Sequence, residues 1–230
     1  MLVIEDVSKA YRGKQVLQGV GFRVKKGEVF GVLGLNGAGK TTLFKIISGI
    51  VRPSSGSVYF EAENSIEPNT TVVSLIEEPA FYGHLTGYDN LSLFYALSGG
   101  KNKDQIASSL EKVGMLGKKD VPYRKYSLGM KKRLYLAFAF MLDSGAILLD
   151  EPFNGLDVVS VEAIKKILLD LKGTGATILI SSHMIEELKD VADRVAILDN
   201  GRLLTLCEEP RSVDLRAVFL DLVGREGKAE

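Results

Sequence analysis

Gly34-Leu35-Asn36-Gly37-Ala38-Gly39-Lys40-Thr41-Thr42 is the stretch on which the reading of this chain turns. It follows the apolar run Val29 to Leu33 and precedes a segment in which Leu43, Ile46, Ile47 and Ile50 recur at helical spacing. Strand, glycine-rich turn and helix, in that order, form the context that a phosphate-binding loop requires. The glycines let the backbone curl so that successive N–H groups point at phosphate oxygens, where Cβ atoms would intrude. The first N–H groups and the positive dipole end of the new helix face the same anion. Lys40 is placed to reach the β- and γ-phosphates, and the Thr41 hydroxyl to ligate Mg²⁺. Gly34 to Thr42 is therefore read as the seat of a nucleoside triphosphate.

The 230 residues, 46% of them hydrophobic, suit one compact domain with a sizeable core, in one lobe or two. Lys+Arg and Asp+Glu both number 29, so the formal net charge is zero. Binders of nucleic acid are usually basic over one face, and no such partner is expected here. The single cysteine, Cys207, cannot form an internal disulfide and reads as a small buried hydrophobe. Met1 to Asp6 has no basic region followed by a long apolar segment, so no secretory signal is expected. The longest apolar run, Leu134 to Leu142, is shorter than the roughly 20 residues that cross a bilayer. The expected location is the cytoplasm, with any membrane role exercised through a partner.

Upstream of the loop, Val3-Ile4, Val16 to Val24 and Val29 to Leu33 read as strands, with Lys25-Lys26-Gly27-Glu28 as a hairpin-like turn. Tyr11 falls in a polar stretch, Lys9 to Gly13, where its ring could stack on a base or simply pack. The first helix is expected to end near Ile50, ahead of Pro53 and Gly56. Strands over Val58 to Phe60 and Thr71 to Ile76 lead to Glu77-Glu78, a pair that either faces the phosphate site or is solvated. Thr86-Gly87-Tyr88-Asp89 resembles a capping box opening a helix to about Leu97, and another helix covers roughly Asp104 to Val113. Asn102-Lys103-Asp104-Gln105 departs from the guanine-reading pattern at its fourth residue and is read as a loop. Tyr126-Ser127-Leu128-Gly129-Met130 precedes a buried helix over Leu134 to Leu142; Ser127 and Gly129 form either a second anion site or an ordinary cap.

Ala146 to Leu149 is a continuous apolar run that ends in Asp150-Glu151-Pro152, the pattern of a strand buried on both faces of a parallel sheet. An acid at the C-terminal end of such a strand lies at the crevice where α/β folds bind ligands. Asp150 suits a carboxylate that holds Mg²⁺, and Glu151 one that orients or deprotonates an attacking water. Asn154 to Asp157 turns into a helix reaching about Lys172 and capped by Gly173. The strand Ala176 to Ser181 then brings His183 to the same edge as Asp150, where an imidazole could meet the γ-phosphate. Strands over Val195 to Leu198 and Arg202 to Leu206 follow. A helix carrying Leu215, Val218, Phe219 and Leu222 closes the chain, with a frayed tail expected from Gly224.

Over nearly its whole length this order resembles the ATP-binding cassette family, the motor subunits of ABC transporters. The resemblance implies that Tyr11 stacks on adenine and that Glu77 stands where the family usually has a Gln that touches Mg²⁺. It matches Tyr126 to Met130 with the signature Leu-Ser-Gly-Gly-Gln, so that Ser127 and Gly129 would bind the nucleotide of an opposing subunit. It likewise makes Asp157 the acidic loop facing that subunit and His183 the switch histidine. Leu128, Met130 and Glu77 depart from the family pattern, whereas Ser127 and Gly129 keep it. The Tyr-Ser-Leu-Gly-Met form and the tail from Leu215 to Leu220 resemble bacterial exporters of antibiotics and bacteriocins.

The implied fold is α/β: a P-loop NTPase core, mostly parallel sheet with helices on both faces, plus a small antiparallel β part and an all-helical insertion. Residues 1–83 and 138–210 would form the core, 84–137 the insertion and 211–230 a helix and tail, all within one nucleotide-binding domain. The implied cofactors are ATP and Mg²⁺. The implied partners are integral membrane permease subunits and a second copy or homologous ATPase subunit, on the inner face of the membrane. A soluble cassette protein of translation or DNA repair is the rival reading, set against the single cassette and the lack of heptads. A P-loop kinase or GTPase is the other, set against the missing guanine motif.

Overall fold

The computed structural model describes residues 1–62, 65–66, 72–76, 81–142 and 144–226. Two sheets organise them. Strands β1 (Leu2–Tyr11), β2 (Lys14–Val24), β4 (Ser55–Ala62) and β5 (Ser65–Ile66) make an antiparallel sheet in the order β2-β1-β4-β5. Strands β3 (Val29–Leu33), β6 (Val72–Leu75), β7 (Ala146–Asp150), β8 (Ile178–Ser182), β9 (Arg194–Asp199) and β10 (Arg202–Cys207) make the second. Its order is β10-β9-β3-β8-β7-β6, parallel except for the β9–β10 hairpin.

The central strands are apolar throughout because both of their faces are covered. Phe30, Val32, Ala146, Leu148, Leu179, Ala196 and Leu198 point into a core shared with the antiparallel sheet. The alternate residues, among them Val29, Leu33, Ile147, Leu149, Ile178, Ile180, Val195 and Ile197, point into a second core on the opposite face. Helix α1 (Lys40–Ile47) lies in the first core through Leu43, Phe44, Ile46 and Ile47, between the two sheets. Helices α5 (Val158–Gly173) and α6 (Ile185–Val191) cover the other face. The stripe Val161, Ile164, Leu168 and Leu171 of α5 is buried there at helical spacing.

Helices α2 (Gly87–Leu97), α3 (Asp104–Lys112) and α4 (Leu128–Met141) stand beside this second core and join it through Leu91, Leu110 and Leu134. Thr86 caps α2 by accepting from the Asp89 N–H at 3.0 Å. Asn90, fully buried, accepts from the Tyr82 N–H at 2.7 Å and donates to the carbonyls of Tyr82 and Thr86, which fixes the chain entering the helix. Helix α7 (Leu215–Glu226) packs Leu215 and Phe219 onto the same core.

Several boundaries differ from the sequence reading. The turn Lys25 to Glu28 joins two sheets and is no hairpin, since β2 and β3 never pair. The Glu28 carboxylate accepts from the Lys25 N–H at 2.6 Å, while the Gly27 N–H donates to Thr177 Oγ1 at 3.1 Å. Helix α1 stops at Ile47, because Gly49 takes φ +75° and turns the chain out of the helix. Helix α4 opens at Leu128, six residues before the apolar run, since the Ser127 side chain caps it. It also continues past residue 137 to Met141. Gly173 lies inside α5, whose last turn is followed by Thr174 and by Gly175 at φ +86°. Gly224 lies inside α7. Tyr11 ends a strand, opposite Lys14. Glu77 and Glu78 lie outside the described residues.

Candidate functional site

Strand β3 delivers the chain to Gly34, where a Cβ would stand 2.4 Å from the Leu198 carbonyl oxygen, so only glycine fits. The loop closes at Gly39, whose φ of +105° makes it a left-handed N-cap for α1. Gly201 N–H donates to the Ala38 carbonyl at 3.0 Å, tying the loop to the β9–β10 turn. Beneath this loop opens a cleft of about 250 Å³ lined by Val16, Leu35, Asn36, Gly37, Gly39, Lys40, Thr41, Thr42 and Glu151. Gly34 and Ala38 shape the loop from behind and are not among the lining residues.

Lys40 Nζ donates to the Gly34 carbonyl at 2.7 Å and the Leu35 carbonyl at 3.2 Å, and it stands 3.1 Å from Glu151 Oε1. Thr41 Oγ1 donates to Asp150 Oδ2 at 2.7 Å. The other oxygen of Asp150 accepts from the Ser181 hydroxyl. Glu151 follows β7 with a left-handed φ of +51°, a conformation that costs a non-glycine residue about 1–2 kcal/mol. Its N–H donates to Ser181 Oγ at 3.0 Å and to the Ser181 carbonyl at 3.1 Å. Glu151 Oε2 lies 2.9 Å from His183 Nδ1. The ends of β3, β7 and β8 thus collect one cation, two carboxylates, two hydroxyls and an imidazole at one edge of the sheet.

Lys132, on α4, reaches this edge from outside. Its ammonium donates to the carbonyls of Glu151 at 3.1 Å, Pro152 at 2.8 Å and Asn154 at 2.9 Å. Burial pushes its pKa down to about 8, and the charge of Glu151 opposes that shift.

A second assembly forms where α4 and α5 begin. Ser127 Oγ accepts from the Met130 N–H at 3.3 Å. Asp157 accepts from the Ser160 N–H at 2.8 Å and from its hydroxyl at 3.1 Å, and these bonds hold the exposed carboxyl below its ordinary pKa. A Cβ on Gly129 would stand 2.6 Å from Ser160 Oγ, so the two helix ends meet at that glycine. Val158 and Val159 project outward beside them, 79% and 80% exposed.

The structure places Lys40, Thr41, Asp150, Glu151 and His183 side by side, with Asp150 and His183 bonded to the lining residues Thr41 and Glu151 rather than lining the cleft themselves. Ser127, Gly129 and Asp157 are not among the residues lining the cleft. Neither is Tyr11, an exposed residue whose ring sits under Lys9 Nζ, 5.0 Å from the ring centroid. Glu77, the third expected metal contact, falls outside the described residues. Sequence reasoning missed Val16, Ser181 and Lys132. Ser181 left a signal, a polar residue directly after the apolar run Ile178 to Ile180 in a strand closed to water throughout. Lys132 left none.

Comparison with known proteins agrees with this geometry. A family model described as "ABC transporter" matches residues 17–154. The lantibiotic transport ATP-binding protein SrtF of Streptococcus pyogenes is 36% identical over 220 residues, 95% of this chain and 96% of its own. The bacitracin transport ATP-binding protein BcrA of Enterococcus faecalis is 39% identical over 205 residues, 87% of this chain and 67% of its own. The solved structure of cbiO1 from Clostridium perfringens, part of the ABC transporter complex cbiONQ, is similar with a TM-score of 0.81 and 28% identity. That likeness covers 99% of this chain and 97% of the other. A shared fold from end to end, and kinship in sequence across almost the same span, put this chain in the ABC transporter family, among its ATP-binding ATPase subunits.

Proposed function

We propose that this chain hydrolyses MgATP to drive export of a drug, peptide or lipid-like substrate through a separately encoded membrane permease on whose cytoplasmic face it sits. The observation that carries the reading is the convergence of Lys40, Thr41, Asp150, Glu151 and His183 at one edge of the sheet, where Lys40, Thr41 and Glu151 line the cleft. The transport roles in the names of SrtF and BcrA favour an exporter of the antibiotic type.

In this reading the N–H groups from Gly34 to Thr42 and the Lys40 ammonium hold the phosphates. The carboxylate of Glu151 accepts a proton from water as the water oxygen bonds to the γ-phosphorus and the bond to ADP breaks. His183 and Lys40 fix that carboxylate from two sides, at 2.9 Å and 3.1 Å. Thr41 and Asp150 present a hydroxyl and a carboxylate 2.7 Å apart, the hard oxygen donors that Mg²⁺ takes. These two residues would hold the ion, with Glu77 as a further contact; once bound, it neutralises charge on the phosphate oxygens.

Ser127, Gly129 and Asp157 gain a role if a second copy, or a homologous subunit, faces this one across two ATP molecules. Tyr11 would then cover the adenine. The test is steady-state ATPase activity combined with size-exclusion chromatography. Glu151→Gln should bind ATP, lose about 10²–10⁴-fold in rate and accumulate as an ATP-dependent dimer. Asp150→Asn should lose Mg²⁺-dependent binding and form no such dimer. Parent-rate hydrolysis by Glu151→Gln would remove Glu151 from its role. Failure of the chain to co-purify with an integral membrane protein would favour a non-transport ATPase.

A further inference from the structure

Lys132 is half-buried against the segment that carries Glu151; it does not line the cleft itself, but it bonds to the backbone of Glu151, which does. An ammonium has three N–H donors, and here three carbonyls converge on them, those of Glu151, Pro152 and Asn154. The first of these belongs to the residue held at φ +51°. A left-handed non-glycine residue relaxes unless its surroundings over-determine it. Ser181 grips the N–H side of Glu151, and Lys132 grips the carbonyl side. The lysine itself stands one turn into α4, on the helix that Ser127 caps.

We propose that Lys132 is a positioning residue for hydrolysis: its ammonium, bound to three carbonyls of the segment from Glu151 to Asn154, holds the Glu151 carboxylate aimed into the phosphate cleft. This rests on the ATPase reading of the cleft. Shape matters as much as charge. A guanidinium spreads its donors over a planar fork and cannot direct three of them at one convergent set of acceptors. A methionine of similar length donates nothing, and a glutamine donates from one amide nitrogen.

The experiment uses the purified full chain and measures kcat, KM for ATP and binding of a fluorescent ATP analogue. Lys132→Met should lower kcat by about 10–50-fold, a part of the 10²–10⁴-fold that a general base supplies. KM and analogue binding should change less than about twofold, since no phosphate contact is removed. Lys132→Gln should fall between the two, and Lys132→Arg should not restore the parent kcat. In a Glu151→Gln background, Lys132→Met should lower the residual rate less than about twofold, because the residue it positions is already disabled. Thermal melts confirm folding; should the methionine variant not fold, Lys132→Gln carries the same comparisons, with a kcat loss of about threefold or more expected. An unchanged kcat in a folded variant overturns the proposal. So does full activity in Lys132→Arg, or an undiminished loss in the Glu151→Gln background. A parent chain that fails to hydrolyse ATP would instead sink the ATPase reading, and this proposal with it.

Discussion

The ammonium of Lys40 lies among two carbonyls of its own loop and the carboxylate of Glu151, and in the proposed reading a triphosphate entering the cleft exchanges these partners for phosphate oxygens. Hydrogen bonds to charged groups contribute about 1.5–3 kcal/mol, so Lys40→Ala should weaken ATP binding by roughly tenfold or more and abolish hydrolysis. Calorimetric titration with ATP checks this, and tight binding by the variant would count against the loop. Lys132 yields a pH signature in which stability and activity move in opposite directions. Burial holds its pKa at about 8 against an ordinary 10.5. Between those values the unfolded chain keeps a proton that the folded chain has shed. Folding stability therefore rises with pH across that window, and the cost of burying the cation is present in full below it. The neutral amine, however, has two donors for three carbonyls. The kcat should fall as pH passes through about 8, while the unfolding midpoint of the parent gains relative to Lys132→Met over the same range. Urea melts and rate measurements on both sides of that pH test the two signs together.

At the scale of elements, the junction of α4 and α5 is held open by Gly129. A methyl group there would press on Ser160 Oγ at 2.6 Å and on Ser160 Cβ at 3.0 Å. Gly129→Ala should destabilise the chain by about 1–3 kcal/mol, as overpacking typically does, and Ser160→Gly should restore much of the loss. Thermal melts of the two single variants and the double variant check the coupling. The same junction explains where sequence reading stopped short. The start of α4 was hidden because Lys131, Lys132 and Arg133 interrupt the apolar pattern, whereas the Ser127 cap sets the true boundary. The Lys25–Glu28 turn shows ordinary turn chemistry, which does not say that its two strands enter different sheets. Gly34 to Thr42 was legible because its chemistry is contiguous. Asp150 and His183 were legible because each ends or follows an apolar strand. Ser181 and Lys132 act on partners 31 and 19 residues away, and no local pattern marks such a pairing.

At the scale of the molecule, the two cores share the parallel sheet, and the alternation of its strands between them was visible as unbroken apolar runs. The strand order was not visible. β3 pairs on one side with β8, Val29 opposite Ile178, and on the other with β9, Gly31 opposite Val195. Both neighbours come from the far part of the chain. A fragment ending at Gly175 should therefore be cut readily by protease and bind no ATP, while one reaching Cys207 should recover both protection and binding. Limited proteolysis with and without nucleotide distinguishes them. This placement also sets a timetable for synthesis. The residues proposed to grip phosphate leave the ribosome early, but the strands that hold them in shape leave late. Until Arg194 to Asp199 has emerged, Val29 to Leu33 lacks a sheet neighbour that it needs, and its apolar faces are open to chaperones and to other nascent chains. ATP therefore adds its binding energy to the fold only after β9 has taken its place beside β3.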